Sequence, residues 1–277
     1  MTDSNKIPSD LNQMMTVTRY EFLKYLRSKR LLGIFVLEFL MIALIMIVPP
    51  ALGRDYPEDP AEFSQLFIQW VWFLIIVGTT LLASDSLVSE FQNRTGYLIF
   101  PNPVKRGVLF AGKFLASIGI ISAALGVFYG VSSVLVFAIN GGLSDLTASS
   151  FGLAILFAIA AVSVAYLISA VMKGSTGALV LTFALFFPIL LIADGILTFA
   201  KVKPDFSISF ASGAINYIME TPYPKDFVQT IDLPGGGVFE IANYYPDVTT
   251  AILVAIAYIV ISLLLAFVIF SRREMSA

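Results

Sequence analysis

The chain has 277 residues, of which 58% are hydrophobic and 13% charged, and its mean hydropathy is +0.87. Soluble domains contain about 45–50% apolar and about 25% charged residues, so this composition excludes a soluble domain and indicates an integral membrane protein. The net charge of −2 adds little, because in a membrane protein the placement of charge matters more than its sum. The sequence has no Cys and no His, which excludes disulfides, thiol nucleophiles, His general bases and His or Cys metal ligands.

The N-terminal segment predicts an interfacial helix rather than a cleaved signal peptide. Residues 1–30 carry six Lys or Arg residues and lack the apolar run of about 7–15 residues that a signal peptide requires. Within 11–30, one face is apolar at helical spacing and comprises Leu11, Met15, Thr18, Phe22, Tyr25 and Leu26. The other face holds Glu21, Lys24, Arg27 and Ser28. Such a helix lies in the headgroup plane, and the alternative is a basic juxtamembrane segment held by anionic lipid.

Six apolar runs are long enough to cross a bilayer, for which a helix needs about 20 residues. They are residues 31–52, 63–83, 114–139, 150–172, 176–199 and 248–270. The predicted fold is therefore an all-α integral membrane protein with six transmembrane helices, in a single polytopic domain over residues 1–277. Pro188 predicts a kink in the fifth span. The segment 200–247 is expected to form an extracellular subdomain with one or two short helices within 206–219.

The distribution of Lys and Arg predicts the orientation. Thirteen of these residues fall in the N-terminal segment, the second loop, the fourth turn and the C-terminus, whereas four fall on the opposite side. Because basic residues are retained on the cytoplasmic side, both termini are expected in the cytoplasm. The opposite side is acidic, with six carboxylates between residues 205 and 247.

The cytoplasmic loop 84–113 is too long for a turn and too short for a domain. Its first part is polar and expected to be helical, with Asp85, Ser89, Glu90, Gln92 and Arg94. A break at Gly96 follows, and Pro101 and Pro103 end any helix before the basic re-entry at Lys105 and Arg106. This pattern predicts a short, rigid projection toward a cytoplasmic partner. The alternative is a solvated loop with stop-transfer charges.

This loop resembles that of permease subunits of type 2 ABC exporters. The matching positions are Asp85, Glu90, Thr95, Gly96, Leu98, Phe100, Pro101, Pro103, Lys105, Arg106, Gly112 and Lys113. The order of an amphipathic helix, six spans and cytoplasmic termini is similar to the family over the whole chain. The segment 200–247 departs from the family in being long.

The resemblance implies a multi-pass transport subunit of the cell membrane that is not itself an enzyme. The loop would be a coupling helix that docks into a cleft of a separate cytoplasmic P-loop ATPase, present in two copies. ATP and Mg would be bound by that ATPase. A second permease copy, as a homodimer or a similar heterodimer, and membrane lipid are the other implied partners. Neither a metal site nor a nucleic-acid partner is expected. The implied coupling residues are Asp85, Glu90, Arg94, Thr95, Gly96, Pro101, Pro103, Lys105 and Arg106.

Two other patterns have a less specific interpretation. Residues 107–113 satisfy G-x-x-x-x-G-K, but Phe114 stands where a P-loop needs Ser or Thr for Mg²⁺, so a nucleotide site is not expected here. Gly126 and Gly130 form a small-residue stripe on the third span. Close helix packing within one subunit is the favoured interpretation of this stripe, and dimerisation is the alternative.

Glu38 and Asp194 are the ionisable residues inside the six apolar runs. Carboxyl groups at such positions are costly, so both are candidates for the substrate pathway. For Glu38 the alternative is a structural bond to a neighbouring helix, and for Asp194 it is a carboxyl group that reaches the outer interface. These two residues also permit an ion-coupled secondary transporter, although neither an inverted repeat nor paired broken helices are detectable. A membrane enzyme is the third possibility, and it would need an unusual Ser–Lys or diacid site.

Overall fold

The computed structural model describes residues 9–92, 105–233 and 237–273. The helices of the first half are α1 Asp10–Leu26, α2 Lys29–Ala51, α3 Pro60–Ile68, α4 Val71–Leu82, α5 Val88–Gln92 and α6 Arg106–Asn140. The second half contains α7 Leu146–Val171, α8 Ser175–Ala184, a π-helical segment Leu185–Ile189, α9 Leu190–Phe199, α10 Ile208–Ala211, α11 Ala214–Tyr217 and α12 Val248–Arg272. Two strands, β1 Phe227–Leu233 and β2 Gly237–Asn243, lie between α11 and α12.

The six predicted spans are confirmed. In the described residues, six helical stretches are long and apolar enough to cross a membrane, namely α2, α3 with α4, α6, α7, α8 with α9, and α12. The second is interrupted between Ile68 and Val71. The third begins at Arg106 rather than near Phe114, so the end of the predicted loop is already helical. Charged residues are tolerated in this first part of α6 because they have partners. Arg106 donates to the Ser271 carbonyl, and Lys113 pairs with two carboxylates.

Local sequence signals explain where the helices begin and end. Ser28 accepts a hydrogen bond from the backbone N–H of Leu31 at the start of α2, and Asp247 accepts one from Thr250 at the start of α12. These side chains satisfy N–H groups that have no partner within the helix. Gly141 ends α6 with a φ of 72°, in the left-handed region that glycine adopts without steric cost.

The fifth span departs from a regular α-helix at Pro188, where the sequence predicts a kink. The segment Leu185–Ile189 is π-helical and joins α8 to α9. Proline lacks a backbone N–H and its ring crowds the preceding turn, so the regular helical hydrogen-bond pattern cannot continue through it. A local widening into a π-helical turn accommodates the ring without ending the span.

The segment between α9 and α12 contains the expected short helices, α10 and α11, and also a β-hairpin that was not predicted. Strands β1 and β2 pair antiparallel, with Phe227 opposite Asn243 and Thr230 opposite Glu240. Ion pairs of Lys201 with Glu240 and of Lys203 with Asp226 attach the hairpin to the chain that leaves α9. The fold is thus mostly helical with one added hairpin.

The core is centred on α7. Of the residues in its most apolar stretch, 67% are buried, against 17% for the span α8–α9 and 17% for α12. The less buried spans carry many exposed large apolar side chains, such as Leu32, Val36, Leu44, Ile192 and Leu264. In a membrane these surfaces face lipid tails or another protein. Hereafter the α1 end denotes the end of the molecule that holds α1 and α5, and the hairpin end denotes the end that holds β1 and β2.

Candidate coupling site

The short helix α5 is held at its beginning by α7. The Ser169 hydroxyl accepts hydrogen bonds of 3.1 Å from the backbone N–H groups of Leu87 and Val88. It therefore caps α5 from outside, because these N–H groups have no acceptor within a five-residue helix. The preceding residue, Ser86, lies 2.9 Å from the Tyr166 hydroxyl of α7. The first turn of α5 is thus fixed to the central helix of the core.

The end of α5 contacts two further spans. The Phe91 ring lies 5.8 Å from that of Phe270 in α12, and the Arg273 guanidinium lies 4.3 Å from the centre of the Phe91 ring. Arg273 also donates a hydrogen bond of 3.0 Å to the Ala170 carbonyl of α7. Gln92 accepts a hydrogen bond of 2.7 Å from the backbone N–H of Ser175, the first residue of α8. A displacement of α5 would therefore disturb its contacts with α7, α8 and α12.

Glu90 connects α5 to the third span through a buried lysine. Its carboxylate lies 2.6 Å from the Lys113 ammonium of α6, which also lies 2.6 Å from the carboxylate of Glu21 in α1. The side chain of Lys113 is 1% exposed and that of Glu90 is 9% exposed. Burial alone would raise the pKa of Glu21, but Lys113 and Lys24 outweigh it and lower this pKa below its ordinary value. The three groups form an ionic cluster that we call the Lys113 cluster.

A cluster of four hydroxyl groups adds a second connection among the same elements. The Tyr25 hydroxyl of α1 lies 3.1 Å from that of Ser117 in α6 and 3.5 Å from that of Ser86. Ser117 in turn lies 2.9 Å from the Tyr166 hydroxyl. Burial raises the pKa of Tyr25, so this residue is a neutral hydrogen-bonding group at neutral pH.

The other implied coupling residues that the structure describes also contact neighbouring helices. Asp85 lies 2.9 Å from Arg30 of α2, and Lys105 lies 2.6 Å from Asp10 of α1 at an exposed position. Arg106 donates hydrogen bonds of 2.9 Å to the carbonyls of Ser271 and Arg273 at the end of α12. The remaining implied residues, Arg94, Thr95, Gly96, Pro101 and Pro103, lie outside the described residues.

Two sequence-based expectations need correction at this site. Glu90 was expected to present its charge to a partner, but its side chain is turned inward to Lys113. Glu21 was assigned to the polar face of α1, yet it packs against α6 with a side chain only 15% exposed. The face of α1 that contacts α6 includes Met14, Val17, Phe22 and Tyr25. The sequence does not reveal that this face packs against a helix, because Glu21 is polar and its partner Lys113 is distant along the chain.

The glycine and lysine of the G-x-x-x-x-G-K pattern have a structural role. Both glycines lie inside the helix α6, so no phosphate-binding loop exists here, because a P-loop needs an irregular loop with free N–H groups. A Cβ atom added to Gly112 would lie 2.7 Å from Cγ1 of Val17 and 3.1 Å from the Met14 carbonyl oxygen. Gly112 therefore allows α1 to approach α6 closely. The next residue, Lys113, forms an ion pair with Glu21 of α1.

The small-residue stripe on α6 does not pack as expected. A Cβ atom added to Gly126 or Gly130 would meet no described atom within 4 Å outside its own helix. Both glycines line an open groove of about 570 Å³ together with Tyr129, Ser133 and Phe151. The expectation of close packing within the subunit is therefore wrong, because the helices around α6 leave this face uncovered.

The two intramembrane carboxyl groups lie in different surroundings. Glu38 is 1% exposed, and its Oε2 atom has no hydrogen-bond partner among the described residues. Asp194 is half-buried in α9, beside Ser207, Ser209 and the backbone of Phe210. The part of the chain that the structure describes contains no hydrogen bond or ion pair between the two carboxyl groups. They do not form one site.

Two cavities lie between the second span and its neighbours. An apolar groove of about 470 Å³ is bounded by α2, α3 and α4 and is lined by Leu37, Met41, Ile45 and Phe73 among others. A smaller cavity of about 290 Å³ toward the hairpin end is lined by Gln69, Trp72, Leu191 and Asn216 among others. Among the described residues, no group of three or more carboxylates is placed to hold a metal ion.

Comparison with known proteins gives the family. The family model described as "ABC-2 family transporter protein" matches residues 15–275. The chain belongs to the ABC-2 family. It is also 27% identical over 284 residues to "Probable ABC transporter permease protein NosY" of Stutzerimonas stutzeri, covering 95% of this chain and 99% of that protein. The protein of the same description from Pseudomonas aeruginosa is 28% identical over 282 residues, covering 93% and 98%.

Membership of the ABC-2 family confirms the predicted resemblance to type 2 ABC permeases. The chain is a transport permease of multi-pass membrane architecture, and its match extends from α1 to the end of α12. An ABC permease works with a second permease copy and an ATPase in general. The structure adds that the short helix between the second and third spans is joined to α6, α7, α8 and α12.

Proposed function

We propose that this chain is the permease subunit of an ATP-driven exporter that moves or extracts a substrate across the cell membrane. A separate cytoplasmic ATPase, in two copies, binds ATP and Mg²⁺, and two permease copies form the pathway. The observation that carries this proposal is the placement of α5. A helix of five residues cannot be stable by itself, yet it contacts four spans through the side chains of Glu90, Phe91, Gln92 and Ser169.

The α1 end is the cytoplasmic end in this proposal. It holds most of the basic residues, and basic residues are retained in the cytoplasm. The coupling residues then act in two ways. Arg94, Thr95, Gly96, Pro101 and Pro103 supply the contact with the ATPase. Glu90 holds α5 against α6, and Asp85 pairs with Arg30 of α2. Lys105 and Arg106 attach the start of α6 to α1 and to the end of α12. Movement imposed on α5 is passed to the spans that these residues contact.

The proposal is tested by co-purification with the P-loop ATPase encoded nearest to this chain. We expect a complex of two permeases and two ATPases that hydrolyses ATP, and a permease that binds no ATP when purified alone. The variant Arg94→Glu should reduce the recovery of the ATPase, because it reverses a charge in the docking segment. The matched control Arg54→Glu reverses an exposed charge at the other end of α2 and should leave recovery unchanged. ATP binding by the isolated permease would refute the proposal.

Glu38 favours one alternative, an ion-coupled secondary transporter. An intramembrane carboxyl group with an unpartnered oxygen can bind a proton or cation during transport. In that case the purified chain alone, in vesicles, would move protons when a potential is applied, and Glu38→Gln would abolish this movement. Under the ABC proposal, vesicles with the wild-type chain and vesicles with Glu38→Gln both move no protons without the ATPase.

A further inference from the structure

Lys113 is the most deeply buried charged side chain among the described residues, and its two carboxylate partners come from different elements. Glu21 belongs to α1 and Glu90 to α5, and each oxygen lies 2.6 Å from the ammonium nitrogen. Taking a lysine out of water is costly unless its charge is balanced and hydrogen-bonded. Two short charge-assisted contacts meet this requirement. The cluster therefore resists separation of α1 from α5.

The packing around the cluster keeps α1 in one position. Gly112 leaves no room for a Cβ atom beside Val17, and the Phe22 ring would lie 3.5 Å from a Cβ atom at Gly119, two turns further along α6. The hydroxyl of Tyr25 joins the same two helices through Ser117. Contacts over this length fix both the height and the rotation of α1 on α6. An interfacial helix held by lipid headgroups alone would need none of these contacts with α6.

The exposed surface of α1 includes large apolar side chains. Leu11, Met15 and Tyr20 are 64%, 61% and 70% exposed, and such side chains are stable where they contact the lipid interface. The same helix therefore carries exposed apolar side chains next to the face that contacts α6 and the Lys113 cluster. A movement of α5 that carries α1 with it would displace a lipid-anchored element.

We propose that Lys113 is a positioning residue that joins α1 and α5 into one rigid unit at the N-terminal end of α6. This inference rests on the proposed function, in which an ATPase moves α5. It adds that α1 moves together with α5, so α1 is a second driven element and not a passive anchor. Glu21 and Glu90 are the two attachment points of the unit.

The test measures the distance between α1 and α5 by pulsed electron paramagnetic resonance. Spin labels are placed at Tyr20→Cys and Ser89→Cys, which is direct because the natural chain has no Cys. Labelled chains are diluted into unlabelled chains, so that only distances within one permease are seen. We expect a narrow distribution whose mean is the same for the permease alone, for the nucleotide-free complex and for the ATP-bound complex.

Three variants and one control test whether the Lys113 cluster causes the narrow distance distribution. Lys113→Met should broaden the distribution, and so should the triple variant Glu21→Gln, Lys113→Met, Glu90→Gln, which leaves no uncompensated buried charge and so preserves folding. Lys113→Arg should keep the distribution narrow. The control Lys173→Met removes an exposed lysine in the turn between α7 and α8, at the same end of the molecule, and should have no effect. A distribution that stays narrow in the triple variant would overturn the inference.

The complex gives a second readout in the triple variant, which leaves no uncompensated buried charge. This variant should still recover the ATPase, but the effect of the permease on its ATP hydrolysis should fall by about fivefold or more, a usual size for coupling between sites. Unchanged stimulation of ATP hydrolysis in the triple variant would overturn the inference. If the wild-type permease binds no ATPase, the proposed function fails, and the distances in the permease alone still decide whether Lys113 joins α1 to α5.

Discussion

Glu21 shows how one side chain depends on a partner far away in the sequence. Its carboxylate contacts Lys113 of α6 and Lys24 of its own helix. Its pKa is lowered from the ordinary value of 4.5, although burial opposes this shift. The folded state therefore favours the ionised form more strongly than the unfolded state does. The stabilisation is complete at pH values above 4.5 and is lost as the pH falls through the folded-state pKa.

We therefore predict that the midpoint of thermal unfolding falls as the solution is acidified below pH 4.5, in part through Glu21. Glu21→Gln should lower the midpoint at neutral pH, since it leaves Lys113 with less compensation, and should reduce the acid dependence. The control Glu58→Gln changes an exposed carboxylate near α3. The measurement is tryptophan fluorescence of the purified protein in detergent. An equal acid dependence in wild type and Glu21→Gln would contradict the assignment.

Ser169 is a second residue whose role depends on tertiary contacts. Its hydroxyl is the acceptor for the N–H groups of Leu87 and Val88. Ser169→Ala should destabilise α5 by about 1–3 kcal/mol, the cost of leaving buried N–H groups without an acceptor. Hydrogen exchange should then become faster at the amides of 87–92 in the purified permease. Ser163→Ala is the matched control, because the Ser163 hydroxyl donates to the Ile159 carbonyl within its own helix α7. Unchanged exchange in Ser169→Ala would show that α5 does not depend on this cap.

At the scale of elements, the contact between α1 and α6 is the least expected feature. Sequence periodicity predicts an amphipathic helix in the interface, and exposed Leu11 and Met15 agree with that position. An adjoining face, which includes Val17, Phe22 and Tyr25, packs closely against α6 because Gly112 has no side chain. A helix that is both lipid-facing and tightly packed can transmit movement between the membrane surface and the core.

The glycine of this contact provides a sharp test. Gly112→Val places a side chain where the Cβ atom alone would lie 2.7 Å from Val17, and overpacking of this kind costs about 1–3 kcal/mol. We expect α1 to separate from α6, seen as increased proteolysis within residues 10–28. Gly126→Val is the control, since a Cβ atom there meets no described atom within 4 Å outside its own helix. Equal proteolysis of the two variants would show that Gly112 does not hold α1 in place.

For the whole molecule, the arrangement of spans predicts which residues face each side of the membrane. The chain has no natural Cys, so single cysteines can be introduced without background. Cysteines at Glu58 and Thr230, both exposed at the hairpin end, should react with an impermeant thiol reagent added to intact cells. Cysteines at Lys173 and Arg272, exposed at the α1 end, should react only after the membrane is permeabilised. Labelling of Lys173→Cys in intact cells would reverse the proposed orientation.

The sequence by itself determined the class of the protein, the six spans, the irregularity at Pro188 and the short helices of the segment 200–247. These features depend on composition, on runs of apolar residues and on local backbone chemistry, all of which act over a few neighbouring positions. The motif in the loop 84–113 also indicated the family. The hairpin was missed because its strands are short and gain their stability from pairing with each other and from the ion pairs of Lys201 and Lys203.

Only the tertiary structure decided which way the charged side chains point. Glu90 and Glu21 look like solvated residues in the sequence, and Lys113 looks like part of a nucleotide-binding pattern. Their true relation is a contact between segments about 20–90 residues apart, and such contacts have no local signature. A buried lysine is stable only where two carboxylates converge on it, and that convergence exists only after α1, α5 and α6 have packed together.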